Sequence, residues 1–275
     1  MWFRKKNFKF KMESFTQNIN PEIETTTSEQ QTDLVHAQQE ITRLTEANKH
    51  KDELISITAH QLRGPLAAIK GYASLVMEGD YGQVPQTMTE PLSIIFKAAD
   101  SLTKTVNDFL DVSRIEQGAM RYYRRDFDLC QLADEVVNEM KISINNANLD
   151  LELDMANEPL IIHGDKAKIK HVFLNLIDNA IKYTKSGWLK ISLKKIRGQV
   201  VFTIKDSGVG IKPETMPRLF EKFGRCTEAD KTNTSGLGLG LYVAKNIIET
   251  HNGKITAVSA GEGKGSEFRV ELPSL

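Results

Sequence analysis

The chain has 275 residues, 40% of them hydrophobic, which is room for about two ordinary domains with real cores. Lys and Arg together number 36, as do Asp and Glu, so the formal net charge is zero and gives no electrostatic case for direct nucleic-acid binding. Two well-separated cysteines, Cys130 and Cys226, lack metal-ligand or redox spacing, which excludes a disulfide framework and fits a reducing, cytoplasmic compartment.

The first segment, MWFRKKNFKFKM, is basic and carries Trp2, Phe3, Phe8 and Phe10, without the apolar core of a signal peptide. Such a segment either touches an anionic lipid surface, as a peripheral membrane contact, or is a solvated tail or the stub of a membrane segment. No stretch reaches the ~18–20 consecutive apolar residues of a bilayer span, so the chain as given is expected not to cross a membrane. Residues 13–32 are polar and aperiodic and read as linker.

From Leu34 the pattern Leu34, Ala37, Ile41, Leu44, Asn48, Lys51, Ile55, Thr58, Leu62 holds 3,4 spacing over four heptads. This is a coiled-coil seam weakened by three polar members, which leaves register and twist easier to change. The stripe continues beyond Pro65 as Leu66, Ile69, Ala73 and Val76, until EGDYGQVPQ breaks the helix with two glycines and a proline. A second stripe runs through Leu92, Ile95, Ala98, Leu102, Val106, Leu110 and Val112 and ends near Gly118. Two such helices form an antiparallel hairpin too narrow to bury its stripe alone, so a homodimeric four-helix bundle is expected. His60 lies two residues from both Thr58 and Leu62, so at ~100° per residue it projects away from the seam and faces water. Pro65 removes the amide that would bond to the carbonyl of Gln61, and Gly64 tolerates the distortion, which makes this a place to bend.

RRDFDLCQLADEVVNEM reads as another amphipathic helix, and LDLELDM and EPLIIHGD read as strands. In DKAKIKHVFLNLIDNAIKYT, Val172, Phe173, Leu176 and Ala180 make an apolar helix face, while Asn175, Asn179 and Lys182 form a polar stripe. Two amides and an ammonium in a row suit a hydrated magnesium ion and a polyphosphate, and serve equally as an exposed helix face. In the strand VVFTIKD, parity puts Asp206 on the face of Val200, Phe202 and Ile204, at the exit where DSGVGI turns. A carboxylate at the mouth of an apolar pocket needs a donor, and the exocyclic amine of adenine is one. Gly208 and Gly210 allow close backbone approach, although a lone D-x-G-x-G also occurs in ordinary turns. LFEKFGR follows with Phe220, Phe223 and Arg225, and then GLGLGLYVAKNIIETHNG opens a helix at Gly236, Leu237, Gly238, Leu239 and Gly240. Its start can receive phosphate through backbone amides, and it is neither a Walker loop nor a Rossmann turn.

HQLRGPL resembles the phospho-acceptor box of sensor histidine kinases of two-component systems. NLIDNAIKYT, DSGVGI, LFEKFGR and GLGLGLYVAK resemble that family's N, G1, F and G2 boxes in order, with GKGSEF matching its closing glycine segment. The resemblance spans about residues 50–275. It implies a multidomain fold: an all-α helical hairpin that dimerises as a four-helix bundle, followed by an α/β two-layer sandwich of the Bergerat, Hsp90-like type. The division it implies is a tail at 1–32, coiled coil and hairpin at 33–120, and an ATP-binding domain at 121–275. It further implies that Asn175 and Asn179 help hold Mg²⁺, that Lys182 and Arg225 approach phosphates, that Tyr183 packs near the base, and that Asp206 reads adenine. Residues 218–236 would be the mobile ATP lid. His60 Nε2 would attack the γ-phosphate of ATP, and the phosphoryl group would pass to an aspartate in the receiver domain of a response regulator.

Two positions depart from the family. Gln61 stands where the family has Glu or Asp, and an amide orients the imidazole without taking its proton, so slowed autophosphorylation is expected. Gly64 replaces the Thr or Asn that positions water for dephosphorylating the regulator, so phosphatase activity should be weak or absent. Gln61 also keeps open a second reading, an ATP-binding pseudokinase that gates partner docking without phosphotransfer.

Overall fold

The computed structural model describes residues 36, 38–50, 57–59, 61–224 and 237–275. The chain divides into two compact units, Met1–Ile57 and Thr58–Leu275. In the first, residues 38–50 are helical, and Ile41 and Leu44 of the expected seam are exposed in the single chain. The basic N-terminus, Lys51, Ile55, His60, Arg225, Cys226 and Gly236 lie outside the described residues, and no described helix is long and apolar enough to cross a membrane.

The second unit opens with the expected hairpin. Helix α1 (residues 61–78) passes without interruption through Pro65 and ends at a turn in which Gly79 and Gly82 take positive φ of 89° and 106°. Helix α2 (Gln86–Glu116) returns alongside it. Across the hairpin Lys70 Nζ lies 2.6 Å from Asp100 Oδ1, and Arg63 Nη2 donates to Asn107 Oδ1 at 3.1 Å. The two pairs share one antiparallel register, in which Gln61 stands level with Phe109. Ala59, Leu66, Ala73, Ala99 and Leu110 are buried along the hairpin, as are Asp111, Val112 and Ser113 near the end of α2. Leu62, Ile69, Tyr72, Ile95 and Leu102 stay exposed, the apolar surplus expected of half a bundle.

The remainder is a two-layer α/β domain. Strands β2 (Leu149–Met155), β4 (Gly187–Ile196), β5 (Gln199–Asp206), β6 (Lys254–Val258) and β7 (Ser266–Pro273) form a sheet in the order β2-β4-β5-β7-β6, with β2 and β4 parallel and the other neighbours antiparallel. Helices α3 (Leu129–Asn146), α4 (Lys166–Tyr183) and α5 (Gly240–Thr250) contribute the other half of its core. Period-2 alternation sends Leu189, Ile191 and Leu193 of β4, Val200, Phe202 and Ile204 of β5, and Phe268, Val270 and Leu272 of β7 into that core. Phe173 of α4 stacks on Phe202 with ring centroids 3.9 Å apart. The other face of the sheet is laced with ion pairs such as Lys194–Asp154 at 2.6 Å.

One sequence expectation is corrected. Arg125–Asp128, read as the start of a helix, is strand β1, paired antiparallel with β3 (Ile161–Gly164). The helix starts only at Leu129 because Asp128 is its N-cap: Asp128 Oδ1 accepts from the amides of Cys130 and Leu160, tying the helix start to β3. His251 is a structural histidine at the end of α5. Its Nδ1 donates to the Ile247 carbonyl at 2.7 Å, its Nε2 accepts from the Asp165 amide at 2.9 Å, and burial lowers its pKa.

Candidate nucleotide site

The expected site residues that are described gather at the C-terminal end of α4 and the exit of β5. Asp206 is 3% exposed, on the same inward parity as Val200, Phe202 and Ile204. Its Oδ1 accepts from the Gly208 amide at 2.9 Å and the Ser266 amide at 3.2 Å, and its Oδ2 accepts from the Ser266 hydroxyl. Three donors fix this carboxylate, and a lone pair on Oδ2 is left for a fourth.

Three glycines are required for the chain to fold this tightly around Asp206. A Cβ on Gly208 would stand 2.2 Å from the Tyr183 carbonyl oxygen and 2.7 Å from Thr184 Oγ1. On Gly210, at φ +71°, it would meet the Gly261 carbonyl at 2.1 Å, and on Gly265, at φ +68°, the Asp206 carbonyl at 2.0 Å. Backbone bonds stitch the two glycine segments together: Gly265 donates to Gly208 at 3.1 Å, Gly263 to Val209 at 2.7 Å, and Val209 to Tyr183 at 3.0 Å. The GKGSEF segment thus contributes the Ser266 amide and hydroxyl that hold the Asp206 carboxylate.

Thr184 Oγ1 is buried with no hydrogen-bond partner, and so is Asn175 Nδ2; no other described side chain has an orphaned buried polar atom. Leaving such groups unsatisfied costs roughly 1–3 kcal/mol each, so their presence beside Gly208 and at the start of α5 marks where a ligand or its water completes the structure. Sequence reasoning passed over Thr184; its place directly after Tyr183, at the end of the α4 stripe, was the available signal.

Asn175 and Asn179 are half-buried on one face of α4, with Lys182 on the same stripe. Gly240 presses on Asn175, for a Cβ there would come within 2.5 Å of Asn175 Oδ1. Lys182 Nζ lies 5.2 Å from the ring centroid of Tyr183, the residue that precedes Thr184. The G2 segment places Leu237 outside and Leu239 in the core, with Gly238 at φ +71°. The N-termini of α3 and α4 are capped by Asp128 and Asp165, whereas α5 begins after Leu239 with no side-chain cap. Among the described residues no side chain caps its first-turn amides, which is the arrangement of a helix N-terminus open to an anionic acceptor. Phe220 packs edge-on against Phe268, and Lys222 pairs with Glu116 of α2 and lies over the Tyr242 ring, which ties the described part of the expected lid to both halves of the unit.

The donor set suits a polyphosphate with a hard cation. Among the described residues no group of three or more His, Cys, Asp or Glu could hold a metal, and the side-chain amides of Asn175 and Asn179 are oxygen donors of the kind a hard cation takes. A separate open depression of about 600 Å³, lined by Arg114, Arg121, Arg125, Lys166 and Lys168, lies at the N-terminal end of α4. That is the opposite end of the helix from Thr184, and its amides are already capped by Asp165, so it is not part of this site.

Comparison with known proteins gives two family matches. The His Kinase A (phospho-acceptor) domain model matches residues 50–118, and the model for the histidine kinase-, DNA gyrase B- and HSP90-like ATPase matches residues 164–275. The chain is 29% identical over 230 residues to the circadian input-output histidine kinase CikA of Synechococcus elongatus, covering 82% of this chain and 30% of that protein. It is 31% identical over 227 residues to the sensor protein SrrB of Staphylococcus aureus, covering 81% of this chain and 38% of SrrB. The chain therefore spans less than two fifths of the length of these curated relatives. Among solved structures, the Acinetobacter baumannii histidine kinase AdeS superposes with a TM-score of 0.54 at 27% identity, over 78% of this chain and 97% of that one.

Proposed function

Because the chain belongs to the sensor histidine kinases, with a phospho-acceptor domain followed by an ATP-binding domain, we propose that it moves the terminal phosphoryl group of ATP onto His60 and then to an aspartate of a response regulator. The observation that carries this reading is the buried Asp206 carboxylate, fixed by three donors beside the orphaned Thr184 hydroxyl and the Gly208 backbone. The arrangement offers an acceptor to the exocyclic amine of adenine and a hydroxyl for the rest of the base edge, so it distinguishes adenine by hydrogen bonding.

On this reading Asn175 and Asn179 bind Mg²⁺, which would neutralise charge on the phosphates, while Lys182, Arg225 and the uncapped start of α5 hold the phosphate oxygens. Tyr183 packs near the base. A solvated imidazole, whose reference pKa is ~6.5, is largely neutral near pH 7, and in this reading Nε2 of His60 is the nucleophile. A bond forms from Nε2 to the γ-phosphorus as the bond to the ADP oxygen breaks, and ADP leaves. Gln61 orients the ring without accepting its proton. Positioning is the main contribution, worth up to ~7–11 kcal/mol.

The hairpin face that exposes Leu62, Ile69 and Leu102 pairs with a second copy of the chain to make the four-helix bundle. The division into tail, hairpin to about residue 120 and ATP-binding domain from residue 121 is part of the same proposal. So is a cytoplasmic location, with the basic N-terminus free to meet an anionic lipid surface.

The test is incubation of the full chain with γ-labelled ATP and magnesium. Acid-labile, alkali-stable label that disappears in His60→Ala and transfers to a receiver domain is the expected result. Intact ATP binding with no label in the wild type overturns phosphotransfer and leaves an ATP-binding scaffold.

A further inference from the structure

The polar contact between α2 and α4 takes no part in reading the nucleotide, yet among the described residues it is the best-enclosed ionic contact between the hairpin and the sheet domain. Asp111 of α2 is 7% exposed, and both its carboxylate oxygens lie 3.2 Å from Lys168 Nζ of α4. Arg114 approaches the same carboxylate at 3.8 Å. His171, one turn along α4, lies between two acids, with Nε2 3.6 Å from Asp108 Oδ1 and Nδ1 3.9 Å from Asp111 Oδ2. Asp108 is faced by Lys104 and Asp111 on its own helix and by His171 and Asp178 on α4. Beside the cluster Val112 enters the core of the ATP-binding domain, which fixes α2 axially against α4.

Two geometric facts give this contact meaning. The hairpin register set by Arg63–Asn107 and Lys70–Asp100 puts residues 108–111 at the height of Ala59, Gln61 and Leu62. On α4 the positions 168, 171, 175, 179 and 182 are spaced 3, 4, 4 and 3, so they share one face. The half of that face nearer the N-terminus grips α2, and the other half carries Asn175, Asn179 and Lys182.

We propose that the Asp111–Lys168 pair, flanked by Arg114 and His171, is a docking latch that holds the nucleotide-facing side of α4 at the height of Ala59 and Gln61, the neighbours of His60 in the sequence, and that Asp111 and Lys168 are positioning residues for autophosphorylation. The effect on autophosphorylation rests on the kinase reading above. An ionic contact suits the task, because a domain that must leave and return to its acceptor needs a contact that costs little to hydrate when it opens, which an extensive apolar interface does not provide.

The experiment uses the full chain carrying Asp111→Asn, Lys168→Met, or the charge exchange Asp111→Lys with Lys168→Asp. Three quantities are measured: the initial rate of label incorporation at saturating Mg-ATP, the Kd for a fluorescent ATP analogue, and the distance distribution between spin labels at the exposed positions Lys97 and Lys195 in a Cys130→Ser, Cys226→Ser background. Each single variant should lose at least tenfold in rate, keep its nucleotide Kd within twofold, and show a broadened distance distribution. The charge exchange should restore the rate to within threefold and narrow the distribution again. Single variants with an unchanged or faster rate, a rate loss matched by an equal loss of nucleotide affinity, or an unchanged distance distribution would each overturn the proposal. A wild-type chain that takes up no label refutes the kinase reading instead, and the distance distributions then decide the latch on their own.

Discussion

Asp108 gives the latch a measurable pH dependence. Burial, then the neighbouring charge of Asp111, push its carboxyl up from an ordinary 3.8 to about 6, with Lys104 pulling the other way and Asp178 adding the smallest push. Burial also holds His171 below its usual range, so near neutral pH the ring is uncharged and does not compensate. A rise of this size corresponds to ~3 kcal/mol at ~1.36 kcal/mol per pH unit, an upper figure because the side chain keeps 25% of its exposure. The folded carboxyl holds its proton where the unfolded one has lost it, so the stability it confers is complete below 3.8 and lost as pH rises through about 6. Asp108→Asn keeps the shape and removes the charge. In urea denaturation followed by Trp188 fluorescence, the variant should exceed the wild type by up to ~3 kcal/mol at pH 7.5, with the advantage shrinking steadily between about pH 6 and pH 4. A difference that stays flat across that range would refute the argument, since a packing effect alone has no reason to titrate.

Three other substitutions probe the site and the phospho-acceptor box. Asp206→Asn retains an oxygen for the Gly208 and Ser266 amides, so melting should change little, while the loss of one charge-assisted bond of ~1.5–3 kcal/mol should weaken ATP binding about 10- to 100-fold in a fluorescent-nucleotide titration. Gln61→Glu supplies a proton acceptor beside His60, and initial label incorporation should rise about tenfold or more; an unchanged rate would show that proton removal does not limit the step. Gly64→Asn meets no steric barrier, because a Cβ there has nothing within 4 Å, and on the proposed function the variant should dephosphorylate a phosphorylated receiver domain faster than the wild type in the presence of nucleotide.

Where local chemistry decides structure, the sequence was readable. The stripe Val172, Phe173, Leu176, Ala180 is buried in α4 as its spacing required, and the parity of β5 delivered Asp206 to the core side. The hairpin stands because two glycines and a proline leave α1 nowhere to continue. What escaped reading depends on partners distant in sequence. Arg125–Asp128 is a strand only because Ile161–Gly164 lies beside it, and its four residues extend an amphipathic pattern just as well. The Asp128 cap was the one local hint of where the helix begins. The sheet order follows from a parallel crossover between β2 and β4, which no periodicity encodes. The Asp111–Lys168 contact spans 57 residues, and each partner alone reads as a solvated charge on a helix.

Helix α4 shows why these distant contacts matter together. Its outward face docks on α2 through Lys168 and His171, and one turn later the same face presents Asn175, against which Gly240 is packed so closely that any side chain at the start of α5 would collide with it. At 1.5 Å per residue Lys168 and His171 lie about 10 Å and about 6 Å from Asn175 along one rigid helix, so a shift imposed at α2 reaches Asn175 undiminished. The uncapped amides of α5 move with Asn175, because Gly240 is its contact. Docking at α2 therefore sets where Asn175 and the start of α5 stand without changing how they sit against each other. Loosening the latch should cost phosphoryl transfer far more than nucleotide binding, since adenine is read separately by Asp206 at the exit of β5.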